Sequence, residues 1–145
     1  MTIYVYHNEQ RGSRFEDDAN ACRQAIAAGK LHLVASVDTD ELETAFRLTN
    51  NINSPWIDND GVDPVKVPDG ARSTSVGDVL IAEENGREVA YMVGGFGFTR
   101  LGIPADRLME SDMRYSQAQA RKNPPSRETL GQFLADVDKV RFSAA

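Results

Sequence analysis

The sequence predicts an α+β protein: a mixed or antiparallel sheet of about four strands, two helices on one face and a C-terminal helical appendage. In the first third of the chain, segments with strand-like patterning alternate with segments of helical periodicity. Later, Asn85-Gly86 separates two alternating apolar runs, and this dipeptide is the strongest short signal for a β-hairpin. Because the patterning changes after Leu101, we expect a body over residues 1–101 and a helical extension over residues 102–145.

The body begins with a predicted strand, helix, strand and helix. Residues 3–7 are β-branched or aromatic and predict a strand, and apolar positions three or four apart predict a helix over residues 14–28. Residues 31–37 carry apolar side chains on both faces, which is typical of an interior strand. A capping pattern at Asp40 predicts a second helix that ends near Asn51. A crossover through the first helix can make the first two strands parallel.

The second part of the body is predicted to be a long loop followed by a hairpin. Pro, Gly and Asn interrupt residues 52–71, and the lone Trp56 indicates that part of this loop packs down. After the hairpin, a glycine-rich bend places Phe96 and Phe98 on one side. A two-residue turn predicts three facing pairs in the hairpin: Glu83 with Glu88, Ile81 with Ala90 and Val79 with Met92.

The extension is predicted to contain two helices of different character. Residues 106–122 have a weak apolar face and are interpreted as a spacer, whereas a clearer helix follows Ser126. An apolar stripe on that helix is costly to leave in water, so we expect a homodimer through residues 126–141. The stripe consists of Leu130, Phe133, Leu134, Val137 and Val140.

Composition excludes several classes of protein. Of the 145 residues, 41% are hydrophobic and 26% charged, which is typical of a globular domain rather than a disordered chain. A formal net charge of −6 argues against direct binding of nucleic acid, which requires clustered cations. No apolar run reaches the length of a membrane span, and no signal-peptide core follows Met1. We therefore expect a cytoplasmic protein that binds no membrane.

The residues that most often carry catalysis or bind metals are sparse. His7 and His32 are the only histidines, and two ligands do not make a zinc site. Cys22 lies on the apolar face of the first predicted helix, among acidic neighbours that do not activate a thiol. We therefore predict no catalytic residue, no metal and no cofactor.

One segment, residues 72–78, has two interpretations that the sequence leaves open. Arg72 can offer a guanidinium fork to a carboxylate or phosphate, with the hydroxyls of Ser73, Thr74 and Ser75 as additional donors. Alternatively, Ser75 or Asp78 bonds nearby backbone at the start of the next strand, which is the interpretation we favour. The candidate binding residues are Trp56, Arg72, Ser73, Ser75, Asp78, Phe96 and Phe98.

The same segment carries a family resemblance. Arg72-Ser73-Thr74-Ser75-Val76-Gly77-Asp78-Val79, with the strand pair that follows and ends near Gly97-Phe98, resembles the YodL-like group of small domains. The opening Tyr4-Val5-Tyr6-His7-Asn8 and the segment Ala45-Phe46-Arg47-Leu48-Thr49-Asn50 are similar to small proteins of actinobacteria, their phages and plasmids. The resemblance covers residues 1–101 and implies an accessory role on a mobile element, with no catalytic residues to carry over.

Three functions follow as hypotheses. The first is a non-enzymatic accessory protein of a phage or mobile element that binds another protein. The second is an acidic nucleic-acid mimic that inhibits a DNA-binding protein, because acidic residues can imitate a phosphate track. The third is a small-ligand domain or enzyme that uses the Arg72–Asp78 segment, with Trp56, Phe96 and Phe98 as aromatic walls. The acidic runs are residues 16–18, residues 38–43 and residues 58–63.

Overall fold

The computed structural model describes residues 1–10, 18–52, 54–67 and 70–122. Its strands are β1 (Thr2–Asn8), β2 (Leu31–Asp38), β3 (Val62–Pro64), β4 (Val79–Glu84), β5 (Arg87–Gly94) and β6 (Gly97–Arg100). Its α-helices are α1 (Ala19–Ala27), α2 (Leu42–Leu48) and α3 (Ala105–Lys122), and a 3₁₀ turn spans Trp56–Asp58. None of the helices among the described residues is both long and apolar enough to cross a membrane.

The strands form one antiparallel sheet in the order β3-β2-β1-β4-β5-β6. The α+β class is therefore confirmed, but the sheet has six strands rather than about four. The parallel arrangement considered for the first two strands is wrong, since β1 and β2 are antiparallel. The reason is that the chain leaves and rejoins the sheet at the same end, where the Glu9 amide donates to the Lys30 carbonyl at 2.9 Å.

The hairpin has the predicted register, with Val79 facing Met92 and Ile81 facing Ala90. Asn85 takes a positive φ of 54° and Gly86 one of 77°, as the two-residue turn requires. The strands that the sequence missed are both short. β3 is three residues long and lies inside the segment predicted to be a loop, and β6 is four residues long.

The helices are shorter than predicted where they can be compared. Asp18 is the N-cap of α1 and accepts hydrogen bonds from the amides of Asn20 and Ala21. The predicted first turn of that helix, before residue 18, lies outside the described residues. Glu41 rather than Asp40 is the N-cap of α2, which ends at Leu48. The helix predicted after Ser126 also lies outside the described residues.

One face of the sheet packs against α2 and the 3₁₀ turn. Alternate residues of the central strands point to this face, and Trp56 is fully buried among them. Of the two helices expected on one face, α2 contributes to this cluster and α1 does not. The buried members of the cluster are Ile3, Val5, Val34, Ala35, Val37, Ala45, Trp56, Leu80, Ala82 and Val93.

Residues Met1–Tyr115 form one compact unit, and residues 116–122 belong to a second. The boundary expected at residue 101 lies inside the first unit. The start of α3 belongs to this unit because Ser111 and Asp112 form hydrogen bonds with the part of β2 that does not pair with β3. The Leu31 amide donates to Ser111 Oγ at 3.0 Å, and the Leu33 amide donates to Asp112 Oδ1 at 2.9 Å. The first half of α3 thus completes the hydrogen bonding of this sheet edge rather than acting as a spacer.

Candidate functional site

The centre of the candidate site is an ion pair between Arg72 and Asp78. Arg72 Nη1 lies 2.7 Å from Asp78 Oδ2, and Nη2 lies 2.8 Å from Oδ1, so the pair is bidentate. The same guanidinium also donates to the carbonyl oxygens of Asn8 at 3.0 Å and Ser73 at 3.1 Å. The fork that the ligand hypothesis assigned to an external anion is therefore engaged by Asp78.

Asp78 is completely buried and ties two further segments together. Its Oδ1 accepts from the Asn8 amide at 2.7 Å, and its Oδ2 accepts from the Ser75 amide at 2.7 Å. The bond to Ser75 is the backbone-capping arrangement that the sequence favoured for this segment. One carboxylate thus joins the end of β1 and the residues that lead into β4.

A chain of hydrogen bonds lies beside this ion pair and determines which ring nitrogen of His7 carries a proton. Thr49 Oγ1 donates to the Ala45 carbonyl at 2.9 Å, and Thr74 Oγ1 donates to Thr49 Oγ1 at 2.7 Å. The hydroxyl hydrogen of Thr74 is thereby used, so His7 Nε2, 3.0 Å away, is the donor to Thr74. Burial lowers the pKa of His7 to about 4, against an opposing contribution from nearby Asp78. His7 is therefore neutral at physiological pH and acts as a structural donor.

Towards the surface, Glu9 connects the cluster to α3. Its Oε1 lies 3.1 Å from His32 Nε2 and 3.7 Å from Arg72 Nη2. The hydrogen bond to His32 is the main cause that lowers the pKa of Glu9. The His32 ring stacks on Tyr115 with centroids 4.2 Å apart. The exposed rim of the cluster is thus also paired.

The remaining candidate residues separate into two groups. Trp56 is buried, and its indole Nε1 donates to the Arg72 carbonyl at 3.0 Å, so it belongs to the cluster. Ser73 Oγ accepts from the Asn51 amide at 2.8 Å. Phe98 packs edge-to-face against Phe46, with centroids 6.4 Å apart, whereas Phe96 is fully exposed at the β5–β6 turn. The structure therefore brings five candidates together and places the two phenylalanines elsewhere.

Chemically, the Arg72–Asp78 cluster holds chain segments in place. Most of its polar groups bind one another, although the buried Arg72 Nε has no hydrogen-bond partner among the described residues. The part of the chain that the structure describes contains no group of three His, Cys, Asp or Glu able to hold a metal ion. Cys22 is buried, and burial raises the pKa of its thiol to about 12, so the thiolate required for nucleophilic attack does not form.

The pairing of β3 with β2 brings together two acidic runs that are separate in the sequence. β3 pairs with the end of β2, and the Asp38 amide donates to the Gly61 carbonyl at 2.8 Å. This pairing sets the run of residues 58–63 beside the run of residues 38–43, which continues into the first turn of α2. We call these two adjacent acidic runs the acidic patch. It consists of Asp38, Asp40, Glu41, Glu43, Asp58, Asp60 and Asp63, and all seven side chains are exposed.

The acidic patch accounts for the charge of the chain. Residues 38–63 hold these seven acidic residues and one basic residue, Arg47, so their net charge is −6. The formal net charge of all 145 residues is also −6, so the remainder of the sequence is neutral. The third acidic run, at residues 16–18, is described only at Asp18.

Sequence reasoning missed the acidic patch as a single surface because its assembly depends on β3. A three-residue strand that ends in Pro64 has too little alternation to be recognised, although a short edge strand with Pro and Asp is a common protection against unwanted pairing. The only signal was the spacing of acidic residues on either side of α2. Comparison with family models, curated proteins and solved structures finds no match to this chain. The resemblance to the YodL-like group therefore stays a prediction.

Proposed function

We propose that this protein acts by binding another protein, and that the acidic patch is its contact surface. The observation that carries the proposal is a net charge of −6, equal to that of the whole chain, within residues 38–63, whose seven acidic side chains are all exposed. Local fields of this kind steer association and favour a partner of opposite charge. The partner is therefore a protein with a basic surface.

The geometry of the patch supports this proposal. Asp40, Glu43 and Asp60 are exposed, and none of them takes part in an ion pair with another described residue. Like charges in adjacent runs repel one another, and a basic partner relieves this repulsion. The binding surface is held by β2, β3 and α2, so little ordering accompanies binding.

The biological setting that the resemblance implies is an accessory, non-enzymatic role on a phage or mobile element. Under this proposal the Arg72–Asp78 cluster supports the fold, and the acidic patch performs the function. The cluster supports the patch indirectly, because it holds residues 72–75 in place beside the end of α2. There the Thr74 amide donates a hydrogen bond to the carbonyl of Thr49 at 2.9 Å.

The test is affinity capture from a lysate of the native host, followed by identification of the captured proteins. The patch variant combines Asp40→Asn, Glu43→Gln and Asp60→Asn. A matched control variant removes the same charge outside the patch, by Glu83→Gln, Glu88→Gln and Asp106→Asn, all at exposed positions. We expect wild type and the control variant to capture one basic protein that the patch variant releases. Equal capture by the patch variant would refute the proposal.

A second candidate function is a special case of the first. If the captured protein binds DNA, the acidic patch occupies its phosphate-binding surface as a nucleic-acid mimic. The observation that favours this candidate is the close spacing in sequence of four exposed carboxylates over residues 38–43, beside the run at residues 58–63. The test is competition: the protein should displace a DNA duplex from the captured partner, and the patch variant should not. Simultaneous binding of DNA and this protein would exclude mimicry while leaving protein binding intact.

A further inference from the structure

A cavity of about 290 Å³ lies between α1 and the first half of α3, away from the acidic patch. Its apolar lining comes from Ile26 and Ala27 of α1 and from Ile103, which precedes α3. Its polar lining is dominated by three arginines: Arg23, Arg107 and Arg114. Glu110 and Ser111 complete the wall.

Two of the three guanidinium groups are fixed by bonds to the backbone. Arg23 Nε donates to the Leu101 carbonyl at 2.8 Å, and Arg114 Nη1 donates to the Ala27 carbonyl at 2.6 Å. Arg23 Nη1 also donates to Asn20 Oδ1 at 2.8 Å. A guanidinium carries five N–H donors, so these bonds orient the two groups and leave further donors on each. A cationic group that is already oriented binds an anion with little further loss of conformational entropy.

The position of Arg114 depends on a glycine. A Cβ atom at Gly29 would lie 3.0 Å from Arg114 Cβ, which is too close for an undistorted contact. Gly29 also takes a positive φ of 73°, as the residue that follows the end of α1. The glycine therefore ends the helix and leaves room for Arg114 at the cavity.

The lining of this cavity is positively charged, whereas the chain as a whole is negatively charged. Three arginines and one glutamate line it, although the protein carries a net charge of −6. Glu110 lies 3.8 Å from Arg107 and is exposed, so water and this partner weaken its repulsion of an anion. Arg107 lies in the first turn of α3, where the helix dipole also favours negative charge.

We propose that this cavity binds a small phosphate monoester with a compact apolar body. Several guanidinium groups around one cavity suit an anion with three terminal oxygens, whereas a carboxylate is satisfied by one guanidinium fork. Ile103 and Ala27 supply the surface that receives the apolar body, since Ile26 behind them is only 4% exposed. The volume is at the lower end of the range for ligand pockets, which limits the body to about one ring.

The test is titration with phenyl phosphate, inorganic phosphate and benzoate, followed by calorimetry and by NMR of the arginine side chains. We expect phenyl phosphate to bind most tightly and to shift the Nε signals of Arg23 and Arg114. Arg107→Gln should weaken phenyl phosphate about tenfold, since it removes one charge-assisted contact. Arg87→Gln, at an exposed position on the hairpin, is the matched control and should change nothing.

The apolar part of the site has its own variant. Ile103→Ser should remove the preference for phenyl phosphate over inorganic phosphate while leaving inorganic phosphate binding unchanged. Failure of phenyl phosphate to bind, or tighter binding of benzoate, would overturn the proposal. Binding only to phosphatidylcholine vesicles that carry phosphatidate would make the site a lipid-headgroup contact and would equally overturn it. None of these results depends on the acidic patch, so the proposed function is tested separately.

Discussion

Asp78 and Arg72 form a two-point ion pair in which each carboxylate oxygen lies within 2.8 Å of one guanidinium nitrogen. Asp78 is completely buried, whereas the Arg72 side chain is 25% exposed. The pair joins the end of β1 to the segment before β4 through the bonds of Asp78 to Asn8 and Ser75. A motif that resembles a ligand site in the sequence is thus, in the structure, a connection between neighbouring parts of the sheet.

Removal of the carboxylate charge should destabilise the fold. Asp78→Asn removes the buried counter-charge of Arg72 and leaves only Glu9, at 3.7 Å, beside the guanidinium. The NH2 group of Asn also cannot accept one of the two backbone amides that Asp78 binds, so we expect a loss of about 3 kcal/mol in the free energy of unfolding. Urea denaturation measures this loss. Glu110→Gln breaks a pair whose side chains are both more than 60% exposed, and it should cost less than about 1 kcal/mol. Equal effects of the two variants would contradict the structural role of Asp78.

His7 should make stability dependent on pH. Its pKa is lowered to about 4 by burial, so the unfolded chain binds more protons than the folded chain between pH 4 and the ordinary value of 6.5. Stability should therefore rise with pH across this window and fall as pH decreases towards 4. Nitrogen NMR of the imidazole should show a neutral Nε2–H form of His7 at pH 6. A His7 titration midpoint near 6.5 would contradict this account.

Asp112 should be more important to stability than its place on a polar helix suggests. Asp112→Ala leaves the buried Leu33 amide without its acceptor, which costs about 2 kcal/mol. Hydrogen exchange at the Leu33 amide should accelerate in this variant. Asp106→Ala removes an exposed carboxylate from the first turn of the same helix, where, among the described residues, it interacts only with the helix dipole, and should cost less than about 1 kcal/mol. Unchanged exchange at Leu33 in the Asp112 variant would show that α3 does not complete the sheet edge.

The predicted dimer concerns residues 126–141, which lie outside the described residues. We expect light scattering to give the mass of a dimer for the full chain and of a folded monomer after deletion of residues 124–145. The reason is the apolar stripe of the predicted helix, since burying such side chains is favourable. A monomer at high micromolar concentration for the full chain would refute the dimer.

The parts of the fold that follow from local patterns could be predicted from the sequence. The Asn85-Gly86 turn determines the register of β4 and β5, so the facing pairs were predicted correctly. Contacts distant in sequence were not predictable in this way. The bond between Asp112 and Leu33 joins residues 79 positions apart, and β3 exists through pairing with β2 rather than through its own pattern.

In the candidate site, too, local features could be predicted and contacts between distant segments could not. Arg72 and Asp78 are six residues apart, and both were identified as candidates from the sequence. What could not be predicted is that the two side chains pair with each other, because this depends on how the chain bends between them. The acidic patch required knowledge that residues 38–43 and residues 58–63 meet across β2 and β3.

The dissociation constant of the captured partner tests the central claim most directly. It should be measured for wild type, the patch variant and the control variant at about 50 mM and about 500 mM salt. We predict that the patch variant binds about tenfold more weakly than the control variant at low salt, and that this difference largely disappears at high salt because ions screen exposed charges. Identical dissociation constants for the two variants at low salt would contradict the claim that the acidic patch binds the partner.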